Sequence, residues 1–236
     1  MIKSNAYSIT GTKHETNQDS YLEYADSIIN IYAVADGMGG HAAGDVASGI
    51  VVDTLKNHLE ATDKKAVIAA VNTANERIIE RAKEKPEYDG MGSTIAMLCL
   101  DKNRAIIAHI GDSKVFVIKD KKIVFKTKDH SYVQNLVDSG EITEDEALTH
   151  KMKNIITKAV GVSLDITPDI SKLNLSDGTC IVICSDGVSN VVDSQQMCDI
   201  VYKNKDNASS AKELCKTALS LGSTDDITAV VVYYED

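Results

Sequence analysis

Four aspartates stand where a carboxylate is free to do chemistry. Asp36 and Asp186 each follow a short apolar run and a small residue, and each precedes glycine: Ala35-Asp36-Gly37 and Ser185-Asp186-Gly187. Asp112 sits in the turn Gly111-Asp112-Ser113 between two apolar runs, and Asp225 stands just ahead of the last one. Carboxylates brought together repel, and they take up protons unless a cation lies between them. Oxygen-only clusters suit hard divalent ions, Mg²⁺ or Mn²⁺, which accept a few carboxylates and keep several waters. Gly37 has no side chain, so its carbonyl oxygen can approach such an ion closely. A single Asp-Gly is ordinary turn punctuation; the metal reading rests on the four together.

The elements that carry them must end in one place. Ile31 to Ala35 is a short apolar strand that stops at Asp36-Gly37. A Gly-rich turn follows, then a helix with Val46, Ile50, Leu55 and Leu59 on one face. A second helix spans about 64–85, with Val67, Val71, Ile78 and Ile79 inward and Pro86 and Gly90 marking its end. Ile95 to Leu100, Ala105 to Ile110, Val115 to Ile118 and Ile123 to Phe125 read as an antiparallel meander. Residues 129–162 are weakly helical and polar. Cys180 to Cys184 is a buried strand, helices follow near 194–203 and 207–221, and Thr228 to Tyr234 is a last strand. This order is α+β rather than the alternation of a parallel fold. Strand ends and starts neighbour one another in antiparallel sheets, so Asp36, Asp186 and Asp225 can meet on one edge.

Composition removes other classes. With 236 residues and no linker rich in Pro, Gly or Ser, the chain reads as a single domain, 1–236. The net charge of −10, the absence of Trp and an aromatic content of 5% argue against nucleic-acid binding. The apolar runs, such as Ala229 to Tyr234, are too short to span a bilayer, and the start Met1-Ile2-Lys3-Ser4-Asn5 has no apolar signal core. Five cysteines without CxxC spacing suggest buried thiols in a reduced, cytoplasmic protein. Gly37 to Ala42 fits a dinucleotide-binding turn, but the helix after it is followed by a helix where a βαβ unit needs a strand. There is no HExxH and no GxSxG, and Cys99 and Arg104 stand one residue short of a CxxxxxR phosphate loop.

As a set, Asn17-Gln18-Asp19, Val34 to His41 (VADGMGGH), Gly92-Ser93-Thr94, Ile110 to Ser113, Asp129-His130-Ser131, Asn154 to Gly161, Cys184 to Gly187 and Asp225 to Thr228 resemble the PPM (PP2C-like) serine/threonine protein phosphatases, the bacterial single-domain type above all. The resemblance runs from about residue 6 to 234. It implies two stacked antiparallel sheets flanked by helix pairs, and a phosphomonoesterase that uses two or three Mn²⁺ or Mg²⁺ ions. On this resemblance Asp36 bridges two metals, Gly37 gives a carbonyl, Asp186 and Asp225 complete the pair, and Asp112 with Asp186 holds a third ion. Asp19 resembles a residue that holds metal-bound water, and about 129–162 resembles a flap beside the site. A water or hydroxide between the two ions would attack phosphorus in line. His41 is the candidate proton donor for the leaving alkoxide, with His130 second and better suited to ordering the flap. The implied partners are phosphoserine and phosphothreonine proteins and a cognate cytosolic kinase, with a monomeric enzyme and no membrane insertion.

The chain departs from the family in two places. Where members carry a phosphate-gripping Arg, Gly11-Thr12-Lys13-His14 places His14. Histidine lacks the two-point grip and permanent charge of arginine, so the expectation is weaker phosphate binding that improves as pH falls toward about 6. Lys13 is expected to face away, on the other side of a strand. The late motif reads Asp225-Asp226 where Asp-Asn is common, and the register favours Asp225 as the ligand. The missing Arg also allows a second class of function, a phosphatase-like binding module with little or no turnover. Lys119, Lys121, Lys122, Lys126 and Lys128 read as a solvated edge that blocks strand pairing, or as a dock for an acidic phosphopeptide.

Overall fold

A computed structural model describes residues 1–39, 43–204 and 208–235. The chain begins with strands β1 (Ile2–Ile9), β2 (Asp19–Ala25) and β3 (Asn30–Met38), followed by helices α1 (Gly44–His58) and α2 (Lys64–Ala82). The short β4 (Gly92–Ser93) leads into β5 (Ile95–Asp101), β6 (Arg104–Ile110), β7 (Lys114–Lys119) and β8 (Lys122–Lys126). Two short helices, α3 (Tyr132–Asp138) and α4 (Glu144–Thr149), precede β9 (Asp169–Asn174) and β10 (Thr179–Cys184). Helices α5 (Asp186–Ser189), α6 (Ser194–Lys203) and α7 (Ser210–Ser220) then lead to β11 (Ile227–Tyr234).

These strands form two antiparallel sheets, one ordered β1-β11-β10-β7-β8 and the other β2-β3-β5-β6-β9, with β4 beside β3. The sheets stack face to face. Val34, Leu98, Ile107, Val117, Ile183 and Val232 are among the side chains buried between them. The second sheet turns its other face, with Ala33, Met97 and Ile106, to Val51 and Leu55 of α1 and Val71 and Ile78 of α2. The first turns Cys180, Val182 and Val231 to Val201 of α6 and Leu214 and Cys215 of α7. Successive side chains of a strand point to opposite faces, and here both faces are covered, which is why β10 and β11 read as unbroken apolar runs. The α+β sandwich flanked by helix pairs is therefore the observed architecture. No helix among the described residues is long and apolar enough to cross a membrane. All five cysteines are buried.

Two expectations need correction. Strands 95–125 are not one meander: β6 pairs with β5 and β9, whereas β7 pairs with β8 and β10. Gly111-Asp112-Ser113 is a crossing from one sheet to the other, which a local pattern of strands and turns does not distinguish from a hairpin. The buried face of α1 is also rotated, carrying Ala47, Val51, Thr54 and Leu55 inward while Val46 and Ile50 are half-buried against the flank. Small residues let α1 approach the sheet closely, so the larger apolar side chains were a misleading guide to its orientation.

Candidate functional site

Topology delivers the aspartates to one end of the sandwich. Asp19 and Asp36 are register partners on β2 and β3. Asp112 lies in the sheet-to-sheet crossing, Asp186 opens α5 directly after β10, and Asp225 lies two residues before β11. The cluster thus spans the gap between the two sheets, not the edge of one sheet. Asp36 feels the charges of Asp19, Asp186, Asp112 and Asp225.

The surroundings fix the backbone of these residues. The Asp36 amide donates to Thr94 Oγ1 at 2.9 Å, and the Thr94 amide donates back to the Asp36 carbonyl at 2.9 Å. Ser93 Oγ also donates to that carbonyl, and Thr94 Oγ1 shares a hydrogen bond with Ser113 Oγ at 2.7 Å. Gly92-Ser93-Thr94 therefore ties Asp36 to the Asp112 crossing. Glycine at 37 has a packing reason: a Cβ there would stand 1.9 Å from the Gly44 carbonyl oxygen. Gly11 and Gly187 clasp the segment before β11, where added Cβ atoms would meet the backbone of Asp225 at 2.2 Å and of Asp226 at 2.1 Å.

The cluster is charged, crowded and under-solvated. Burial comes first and neighbouring carboxylates second, pushing Asp112 up to about 7 and Asp186 to about 6, with Lys114 opposing both. Asp36 is held well above the ordinary carboxylate range for the same reasons. Asp19 is pushed by burial to about 7 even though Ser185 Oγ donates to its Oδ2 at 2.7 Å. Among the described residues, the other oxygen of Asp19 and Oδ1 of Asp186 are buried without a hydrogen-bond partner. Asp186 Oδ2 accepts from Asn190 Nδ2 at 3.0 Å.

The segment between β1 and β2 is a loop, not a strand, so side-chain alternation does not send Lys13 away. Lys13 Nζ donates to Asp225 Oδ2 at 2.6 Å, and this hydrogen bond raises its pKa, aided by the charges of Asp225, Asp186 and Asp36. Asp226 holds the loop itself. It is 3% exposed and accepts from the Gly11 amide at 2.8 Å and the Gln18 amide at 2.8 Å, and it pairs with His14 Nδ1 at 3.0 Å. His14 is thus tethered to Asp226 while Lys13 reaches the carboxylate cluster. Lys13 and Asp226 were missed as site-shaping residues. The only sequence signal for either was the second carboxylate in Asp225-Asp226.

His130 anchors the segment 129–162. Its amide donates to the Gly111 carbonyl, its Nδ1 accepts from the Gly111 amide at 3.1 Å, and its Nε2 stands 3.3 Å from Asp169. Burial, then Lys158, lowers its pKa, which leaves it a neutral linker at pH 7. Bridges from Ser131 to Ile156 and from Ser93 to Val160 close the segment onto the site. His41 lies outside the described residues.

The residues fit a hard divalent cation. Two buried carboxylate oxygens lack partners among the described residues, four carboxyl groups are held above their ordinary range by burial and each other, and the donor set is all oxygen. Among the described residues no three of these side chains already stand together as a ligand cage.

The family model described as Protein phosphatase 2C matches residues 10–222. A putative protein phosphatase 2C-type protein of Streptococcus pyogenes is 33% identical over 233 residues, covering 95% of this chain and 94% of that protein. The serine/threonine protein phosphatase PstP of Mycobacterium tuberculosis is 34% identical over 236 residues, covering 98% of this chain but 45% of that protein. Among solved structures, the serine/threonine phosphatase of S. agalactiae superposes with a TM-score of 0.92 at 30% identity over 100% of both chains. The catalytic domain of PstP in complex with two manganese ions superposes with a TM-score of 0.86 at 32% identity, covering 100% of this chain and 99% of that one. With the model matching most of its length and relatives of about one-third identity along nearly all of it, the chain belongs to the PP2C-type family of metal-dependent serine/threonine protein phosphatases.

Proposed function

We propose that the chain hydrolyses phosphoserine and phosphothreonine in proteins, reversing a kinase, with divalent cations held by Asp36, the Gly37 carbonyl, Asp186 and Asp225, and a third by Asp112 with Asp186. The observation that carries this reading is the group of buried carboxylates drawn from both sheets, with unpartnered oxygens on Asp19 and Asp186. Two such cations, when bound, activate a water as nucleophile and offset charge on the phosphoryl oxygens. The chain's own residues supply position. Thr94 and Ser93 fix Asp36, and Ser185 orients Asp19 so that its free oxygen can hold a water. Lys13 offers the substrate phosphate a permanent charge at the cluster's rim, a task left open by the missing arginine. His14 contributes through its bond to Asp226, and His41 is proposed as donor to the leaving oxygen.

The test is phosphate release from a phosphothreonine peptide, with and without Mn²⁺, beside an Asp186→Ala variant. Metal-dependent release that the variant loses supports the proposal. Peptide binding without release at any metal concentration would support a binding module instead.

A further inference from the structure

A cavity of about 390 Å³ lies between the β7–β8 hairpin and helices α3 and α4. Four lysines line it, Lys114, Lys126, Lys128 and Lys153, against two carboxylates, Asp129 and Glu144. This excess of positive charge stands out on a chain of net charge −10. The cavity touches the metal-ligand candidates through single side chains. Asn190 on its wall donates to Asp186, and Lys114 on its wall pairs with Asp129 and carries a charge felt by Asp112. The remaining lysines are lightly committed. Lys126 meets Glu144 at 3.5 Å and Lys128 meets Asp138 at 2.6 Å, both pairs well exposed, while Lys153 has no ion-pair partner among the described residues.

We propose that this cavity receives an acidic side chain of the phosphoprotein substrate, a few residues along the chain from the phosphorylated one. The occupant is a carboxylate because the wall offers ammonium groups, and apolar side chains such as Val133, Val137 and Leu148 can cover its aliphatic stem. Exposed pairs such as Lys126–Glu144 hold weakly, so the lysines can exchange partners when a substrate carboxylate arrives. The cavity acts on substrate choice and not on the chemical step, since its walls lie beside the aspartate cluster and not within it. This inference rests on the phosphatase reading for the identity of the substrate.

The experiment compares phosphothreonine peptides carrying Glu or Gln at each of about four positions on either side, the reach of a short extended segment. At one register the Glu peptide should show kcat/KM about 3–10-fold higher, through KM, with the preference fading as salt rises. Lys126→Glu and Lys153→Glu should abolish that preference while turnover of p-nitrophenyl phosphate, which carries no flanking residues, stays unchanged. Peptide binding followed by fluorescence anisotropy gives the same comparison without turnover. No preference in either measurement, or a preference that survives both charge reversals, would overturn the proposal. Silence toward p-nitrophenyl phosphate with Mn²⁺ would count against the phosphatase reading alone.

Discussion

Adjacent aspartates, Asp225 and Asp226, should respond to substitution in opposite ways. Asp226 is buried and satisfies two backbone amides, those of Gly11 and Gln18, as well as His14. Asp226→Ala strands both amides, each at roughly 1–3 kcal/mol, so the expected loss is about 3–5 kcal/mol. In a chain of this size that lowers Tm by roughly 6–20 °C. Asp226→Asn keeps one acceptor oxygen but turns an N–H₂ toward a donor, and should lie between the two. Asp225 is half-buried, and its side chain meets the exposed Lys13 at 2.6 Å, the Asp226 amide at 3.1 Å and His14 at 4.0 Å. Removing it also relieves repulsion on Asp36 and Asp186. Asp225→Ala should therefore leave the Tm of the metal-free protein within about 2 °C, as for a half-exposed pair. Its Mn²⁺ affinity should fall by more than the roughly 10–100-fold typical of losing an outer partner. Thermal melts in EDTA and calorimetric Mn²⁺ titrations of both variants provide the check. Equal destabilisation by the two, or an Asp226→Ala protein melting within about 2 °C of the parent, would refute the division of labour.

The metal-free protein should lose stability as pH rises from about 6.5 to 8. Asp19, Asp112 and Asp186 have folded-state values raised to about 7, 7 and 6, so the stability they contribute is complete below the ordinary carboxylate value and lost as pH climbs through the raised ones. The loss over that window should be about 1–2 kcal/mol by urea denaturation; Mn²⁺, by displacing the protons, should remove the slope, and a slope unchanged by Mn²⁺ would contradict the assignment. Below about 6.5 the decline should continue, and His109, lowered to about 3 by burial and His130, should offset only part of it, since one imidazole faces three carboxyl groups. Lys13→Met should raise KM for phosphopeptide and p-nitrophenyl phosphate alike, by about 3–10-fold, with kcat less affected; an unchanged KM would remove Lys13 from the phosphate's path. Gly187→Ala, which would place a Cβ 2.1 Å from the Asp226 carbonyl oxygen, should destabilise by more than about 3 kcal/mol, and wild-type melting would show that the clasp around residues 225–226 is not tight.

Most of the order of elements was legible because it depends on local pattern, but the edge strand β9, with its half-exposed mixed sequence, was not. Apolar runs bounded by Asp-Gly mark β3 and β10, and the periodic apolar residues of 64–82 mark α2, since a strand or helix records its buried face in its own sequence. The types and spacing of Asp36, Asp112, Asp186 and Asp225 likewise suggested hard-cation chemistry before any geometry was known. Partnership was not legible. That β6 and β7 belong to different sheets, that loop 10–18 swings Lys13 toward Asp225 while Asp226 keeps His14, and that residues 126–153 enclose a lysine-lined cavity all depend on contacts between segments far apart in the chain. Periodicity encodes which face of an element is buried but not what lies against it. Close backbone approach, the desolvation of a carboxylate and the choice between neighbouring aspartates are settled only when distant elements pack.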